Sequence, residues 1–205
     1  MSLELWKAIQ SKVGAEPDGI PGPATARKIA AALGVSGPAQ PQEQRFGADR
    51  IVTGAGKNIR RIVLHCTATR EGQDIDAATI KRWHLRQGWS DIGYHFVIRL
   101  DGTIEKGRPE QTPGSHVKGF NTGSIGVVYV GGLDAQGRGK DTRTVEQKAA
   151  MADLVRELTR AYPQAAVMGH RDLSPDKDGD GVIERHEWMK ECPCFDARSW
   201  WESVK

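Results

Sequence analysis

No stretch of this sequence approaches the roughly 18 uninterrupted apolar residues of a membrane-spanning helix, so nothing in it reads as a helical membrane anchor. Cysteine is scarce. The three present, Cys66, Cys192 and Cys194, are an odd and sparse set that makes no disulfide framework and fits a reduced compartment. A charge of one sign is also missing: 29 Lys and Arg against 26 Asp and Glu leave +3, too little to argue for nucleic acid, though it suits an anionic polymer. The start, MSLELWKAIQSK, lacks the apolar core of a signal peptide, so the chain is expected to be made in the cytoplasm. What is present, 38% hydrophobic and 27% charged residues over 205 positions, is enough for a core and excludes a disordered chain.

The pattern along the chain divides it. LELWKAIQSKV (3–13) sets Leu3, Trp6, Ile9, Gln10 and Val13 at helical spacing, and TARKIAAALGV follows as a second helix after a turn at Glu16-Pro17-Asp18-Gly19. SGPAQPQEQ (36–44) cannot bury apolar area and reads as a linker. The expected division is a small helical domain over 1–35, a linker over 36–49 and a larger domain over 50–205. Within the larger part, RRIVLHC (60–66) reads as a buried strand, DAATIKRWHLRQG (76–88) as a helix, and YHFVIRL with GTIEKG as a hairpin around Asp101-Gly102. SIGVVYVGG (124–132) reads as a buried strand, TVEQKAAMADLVRELTRAY (144–162) as a long amphipathic helix, and AAVMGH (165–170) as a last short strand. That order predicts the α/β class, with a central mixed β-sheet flanked by helices.

A catalytic zinc site takes three protein ligands with nitrogen or thiolate donors and leaves a position for water. His65 ends one predicted strand, His170 ends another, and Cys192 lies in KECPCFD just before a helix, so the three can meet at one edge of the sheet. Taken singly, each also reads as a structural residue: a hydrogen-bonded strand-end His, or a Cys in packing. The segments IVLHCTAT, WHLRQGWSDIGYHFVIRLDGTIEKGR, GSHVKGFNTGSIGVVYVGG, MGHRD and KECPCFDARSWW, in that order over residues 59–203, resemble the zinc-dependent N-acetylmuramoyl-L-alanine amidases, most closely the T7 lysozyme type of phage endolysin.

The resemblance implies the amidase and peptidoglycan-recognition fold, with zinc bound by His65, His170 and Cys192, and with Tyr94 and Lys190 as the other active-site groups. It implies a bacteriolytic hydrolase that uses zinc-activated water to cleave the amide between N-acetylmuramic acid and L-alanine in bacterial peptidoglycan. The partner expected is the cell wall, with neither nucleic acid nor membrane, for a monomer that reaches the wall after release from the host cytoplasm. A non-catalytic recognition protein of the same fold, or a cytoplasmic wall-recycling amidase, are the alternatives. The first would be expected to lack the Cys ligand.

Five further histidine and cysteine positions carry expectations. His95 stands on the strand face opposite Tyr94 and is either a buried structural residue or a support for the site. His84 beside Trp83 reads as packing. His116, in the Gly-rich polar loop GSHVKGFNTGS, is expected to contact substrate, with Asn121 as a companion. Cys66 reads as core, and Cys194 competes with Cys192 for the metal, the family pattern favouring Cys192.

A second metal signal lies between two of the zinc ligands. DKDGDGVIERHE (176–187) fills every constrained position of an EF-hand loop, with Asp176, Asp178, Asp180, the Val182 carbonyl, Glu184 and Glu187 as oxygen ligands for calcium and Gly181 at the sharp turn. The T7-type amidases lack it, and the alternative is a solvated acidic loop. At the N-terminus, DGIPGPATARKIAAAL resembles the signature of small helical peptidoglycan-binding domains, although Pro21 stands where an aromatic is common.

Overall fold

A computed structural model of the chain describes residues 3–13, Ile29 and 51–205. Its contacts cluster into two compact units, residues 1–44 and 45–205. In the first, helix α1 spans Leu3–Lys12, with Gln10 buried and Ile9 half-buried. Apart from Ile29, which is helical, the expected second helix, the DGIPGPATARKIAAAL segment and the linker over 36–49 lie outside the described residues.

The second unit holds β1 (Arg61–Cys66), β2 (Thr69–Arg70), α2 (Ala77–Arg86), β3 (Phe96–Ile98), β4 (Ile104–Lys106), β5 (Ser124–Tyr129), β6 (Gly132–Leu133), α3 (Val145–Ala161), β7 (Ala166–Gly169) and α4 (Ala197–Val204). Five strands form one sheet in the order β4-β3-β5-β1-β7, in which only the β3–β4 hairpin is antiparallel. That hairpin closes where Asp101-Gly102 was expected to turn, with Gly102 at φ +84°, a conformation that Gly adopts without the steric cost of a Cβ. A separate two-stranded parallel ladder, β2 with β6, has no forerunner in the sequence reading, because two residues are too few to show a period.

Alternation along the strands divides the core. Ile62, Leu64 and Cys66 of β1, Phe96 and Ile98 of β3, and Ile125, Val127 and Tyr129 of β5 pack with Met151, Leu154, Val155 and Leu158 of α3. The intervening Val97 and Val128 pack with Ile80 of α2, and Trp83 and Tyr94 lie against them. Helices therefore cover both faces, as a largely parallel sheet requires. Each long helix starts where a side chain can satisfy its free N–H groups. Asp76 accepts from Thr79 N at 2.7 Å, and Thr144 with Gln147 forms a capping box.

The register positions the site. Leu64 pairs with Gly169 across the parallel β1–β7 ladder, so the residues that follow, His65 and His170, stand side by side at the carboxyl ends of adjacent strands. In open α/β sheets, ligands bind at that end.

Candidate functional site

His65 Nδ1 lies 3.1 Å from His170 Nδ1 and 3.7 Å from Cys192 Sγ. The donor atoms of the three residues all fall within 4.8 Å of one another. His65 is buried, whereas His170 and Cys192 are half-buried, which leaves the group open on one side.

The loop carrying Cys192 is held at several points. Cys66 N–H donates to Cys192 Sγ at 3.3 Å, Arg171 N–H to the Cys192 carbonyl at 2.9 Å, and the buried Tyr129 hydroxyl to the Pro193 carbonyl at 2.8 Å. Behind it the Arg143 guanidinium stacks 3.2 Å from the Phe195 ring centroid while pairing with Asp141. Tyr129 and Arg143 were not among the expected site residues. A Tyr inside an otherwise apolar strand run was the available signal, since a buried hydroxyl needs a partner.

Electrostatics suit the histidines to metal ligation. Burial, then the neighbouring His116, His170 and Lys190, hold the His65 imidazole well below its usual value. Burial and Lys190 bring His170 down to about 4. Both rings are therefore neutral near pH 7, as ligands must be. The neighbouring thiols behave differently. Its hydrogen bond with Cys192, with burial, pushes Cys66 up to about 12, and its bond with Cys66, with burial, pushes Cys194 up further. Neither is suited to act as a thiolate donor, and Cys194, 3.8 Å from Cys66 Sγ, stands outside the donor group. Two imidazoles and one thiol on a half-open site fit zinc in a catalytic arrangement.

The other expected residues fall around this group. The Tyr94 ring centroid is 5.3 Å from that of His65, and burial raises its phenol, so it remains an O–H donor at neutral pH. Lys190 is exposed, and its charge lowers both His65 and His170. His84 accepts from Gly93 N–H at 2.9 Å and thereby holds the turn before Tyr94. His95 accepts from Gly126 N–H through Nδ1, and its Nε2 meets the Thr112 carbonyl at 3.1 Å. It thereby ties β5 to the segment at Thr112.

His116 departs from expectation. It is only 8% exposed, and its ring nitrogens meet His65 Nε2 at 3.0 Å and Ser124 Oγ at 3.2 Å, so both are engaged within the protein. One glycine of this loop and one of β5 admit the ring: a Cβ on Gly126 would come 2.5 Å from His116 Cδ2, and one on Gly114 2.8 Å from His116 Nε2. Asn121 is half-buried, and its Oδ1 accepts from the backbone N–H groups of His116 and Val117.

The acidic loop is assembled locally. Asp176 accepts from Gly179 and Gly181 N–H at 2.6 and 2.8 Å, and Asp180 from Val182 N–H at 2.8 Å. The fully buried Glu187 accepts from Lys177 and Glu184 N–H at 2.5 and 3.0 Å. The carboxylates of Asp176, Asp178 and Asp180 form one close group; Asp178, Glu184, His186 and Glu187 form another.

Comparison with known proteins agrees with this geometry. The sequence profile of the N-acetylmuramoyl-L-alanine amidase family matches residues 55–194. The endolysin of Klebsiella phage KP32 is 43% identical over 142 residues, covering 69% of this chain and 85% of that protein. The endolysin of Escherichia phage T7 is 40% identical over 141 residues, covering 69% and 84%. Among solved structures, the N-acetylmuramoyl-L-alanine amidase LysC from Clostridium intestinale superposes with a TM-score of 0.55 at 30% identity, over 72% of this chain and 83% of that one. With the matched segment carrying His65, His170 and Cys192 to one point, the chain belongs to the N-acetylmuramoyl-L-alanine amidase family.

Proposed function

We propose that the chain is an endolysin that hydrolyses the amide between the lactoyl group of N-acetylmuramic acid and L-alanine in bacterial peptidoglycan. The observation that carries this reading is the half-open group of two neutral imidazoles and one thiol at the ends of β1 and β7, in a chain of this family. Zinc held by His65, His170 and Cys192 supplies Lewis acidity that polarises a carbonyl and acidifies water. Around it, the protonated Tyr94 hydroxyl and the Lys190 ammonium donate to the oxygen on which negative charge develops. One of these two also passes a proton to the departing L-alanine amine. Cys192 speaks against a purely recognising relative, which would be expected to lack the Cys ligand.

Three finer readings accompany this one. Residues 176–187 bind calcium through Asp176, Asp178, Asp180, the Val182 carbonyl, Glu184 and Glu187. Support comes from the filled EF-hand positions and from the Glu184 carboxyl, which is pushed up by burial and by Asp180 and Asp178, a repulsion that a cation would relieve. Residues 1–35 add a second contact with the wall. The protein reaches that wall after release from the cell that made it; among the described residues no helix is long and apolar enough to cross a membrane.

Digestion of purified peptidoglycan, with the new ends identified by mass spectrometry, tests the activity. The expected products carry a free lactoyl carboxyl on muramic acid and a free L-alanine amine. New reducing sugar ends or new peptide-bond ends would replace the reading with a glycosidase or a peptidase.

A further inference from the structure

The structure assigns His116 the part of a positioning residue that, braced by Ser124, fixes which nitrogen of His65 faces the metal. This rests on the zinc reading above. His65 turns Nδ1 toward His170 and Cys192 and Nε2 toward His116. A neutral imidazole that offers a lone pair at Nδ1 carries its proton on Nε2. That proton points at His116 Nδ1, 3.0 Å away, which must accept it. The proton of His116 then sits on its own Nε2 and is donated to Ser124 Oγ at 3.2 Å. The Ser124 hydroxyl donates in turn to the Asn121 carbonyl at 3.0 Å. Because the last acceptor is a carbonyl with no proton to give, the whole chain of bonds has one direction. A His65 ring with its proton on Nδ1 would break it, setting two lone pairs against each other at the His116 contact.

The surroundings are built for this ring. His65, His116 and Ser124 are all buried, so no water stands in readily as the acceptor for a missing member. The ring occupies a slot between Gly114 and Gly126 that a Cβ on either would invade. The Asn121 side chain fixes the backbone from which His116 projects. Its two ring nitrogens meet a metal-site imidazole on one side and a hydroxyl on the other. Partners of this kind orient a metal-bound imidazole and raise its basicity, and their loss costs about 10- to 100-fold in metal affinity.

The test compares the full chain with His116→Ala, His116→Asn and Ser124→Ala. Zinc affinity is read by chelator competition, the absorption bands are read with cobalt in place of zinc, and folding is checked by thermal unfolding. The expected result is zinc binding weakened about 10- to 100-fold in His116→Ala, with altered cobalt bands. Most of the loss should be recovered in His116→Asn, whose Oδ1 can accept from His65 Nε2, and Ser124→Ala should show a smaller loss. Nitrogen-15 NMR of the zinc-loaded parent, which needs no variant, should find the His65 proton on Nε2. Unchanged zinc affinity and cobalt bands in His116→Ala, no recovery in His116→Asn, or ligation through His65 Nε2 would overturn the positioning role while leaving the zinc reading in place. A parent that binds no zinc at His65, His170 and Cys192 would overturn both.

Discussion

The His65, His170 and Cys192 group and the acidic loop at 176–187 are built in opposite ways. The first joins residues far apart in the sequence, and the β1–β7 register, the Tyr129 bond to Pro193 and the burial of His65 set its geometry. The second is one contiguous run whose carboxylates are held mainly by backbone N–H groups of the same run and, Glu187 apart, are exposed or half-exposed. A site organised by the fold can bind an ion without ordering the chain, whereas a local loop spends part of its binding free energy on ordering itself. The comparison predicts that disturbing the first group damages chemistry more than stability, and that disturbing the second does the reverse.

The largest expected effect is at Cys192. Replacing Cys192 by Ser removes the thiolate donor and should abolish most amidase activity and zinc retention, with the melting temperature of the metal-free protein little changed. Full turnover by zinc-free Cys192→Ser protein would break the comparison at its stronger end. Next come Tyr94→Phe and Lys190→Ala, each expected to lower kcat by roughly 10²-fold at unchanged zinc content. If steady-state kinetics find only KM altered, these groups bind substrate and do not stabilise developing charge.

For the loop, calcium should raise the melting temperature of the zinc-saturated parent and not that of the Asp176→Ala, Asp178→Ala double variant. Binding only to the native state contributes about 2.7 kcal/mol at a hundredfold excess over Kd. An equal rise in both proteins would return the loop to a solvated acidic segment.

The loop also carries an acid limit. The Lys177 N–H holds the Glu187 carboxyl below its ordinary value, and the Glu184 N–H assists. A carboxylate whose folded value is depressed contributes stability above its unfolded value, and that contribution fades as pH falls through the folded one. In calcium-free protein, hydrogen exchange at the Lys177 amide should therefore accelerate, relative to its intrinsic rate, as pH drops below about 4.5. Unchanged protection there would show that Glu187 does not order the loop. The smallest effect concerns residues 1–35. Protein beginning near Gln44 should cleave soluble muropeptides normally and sediment less with intact wall, through loss of a second contact.

Much of this was legible in the sequence, for reasons that differ by element. β1 and β5 show as apolar β-branched runs, α3 shows its helical period, and the Asp101-Gly102 turn shows its chemistry, because each signal is local. The zinc donors were recognisable as residue types at strand ends, but their meeting depends on parallel pairing of β1 with β7 across about a hundred residues, which no local pattern specifies; the family resemblance supplied it. Tyr94 and Lys190 likewise came only with the resemblance. His116 was misread because glycine next to polar residues suggests an open loop. Here Gly114 and Gly126 make room for a buried ring, and Ser124, which reads as the first residue of a strand, completes its hydrogen bonding.

X-ray absorption at the zinc edge, on the parent and on Cys192→Ser, tests most directly that the fold brings these three distant residues to one ion. The account predicts one sulfur at about 2.3 Å and two nitrogens at about 2.0–2.1 Å in the parent, and no sulfur in the variant. A shell without sulfur in the parent, or one unchanged in Cys192→Ser, would contradict it.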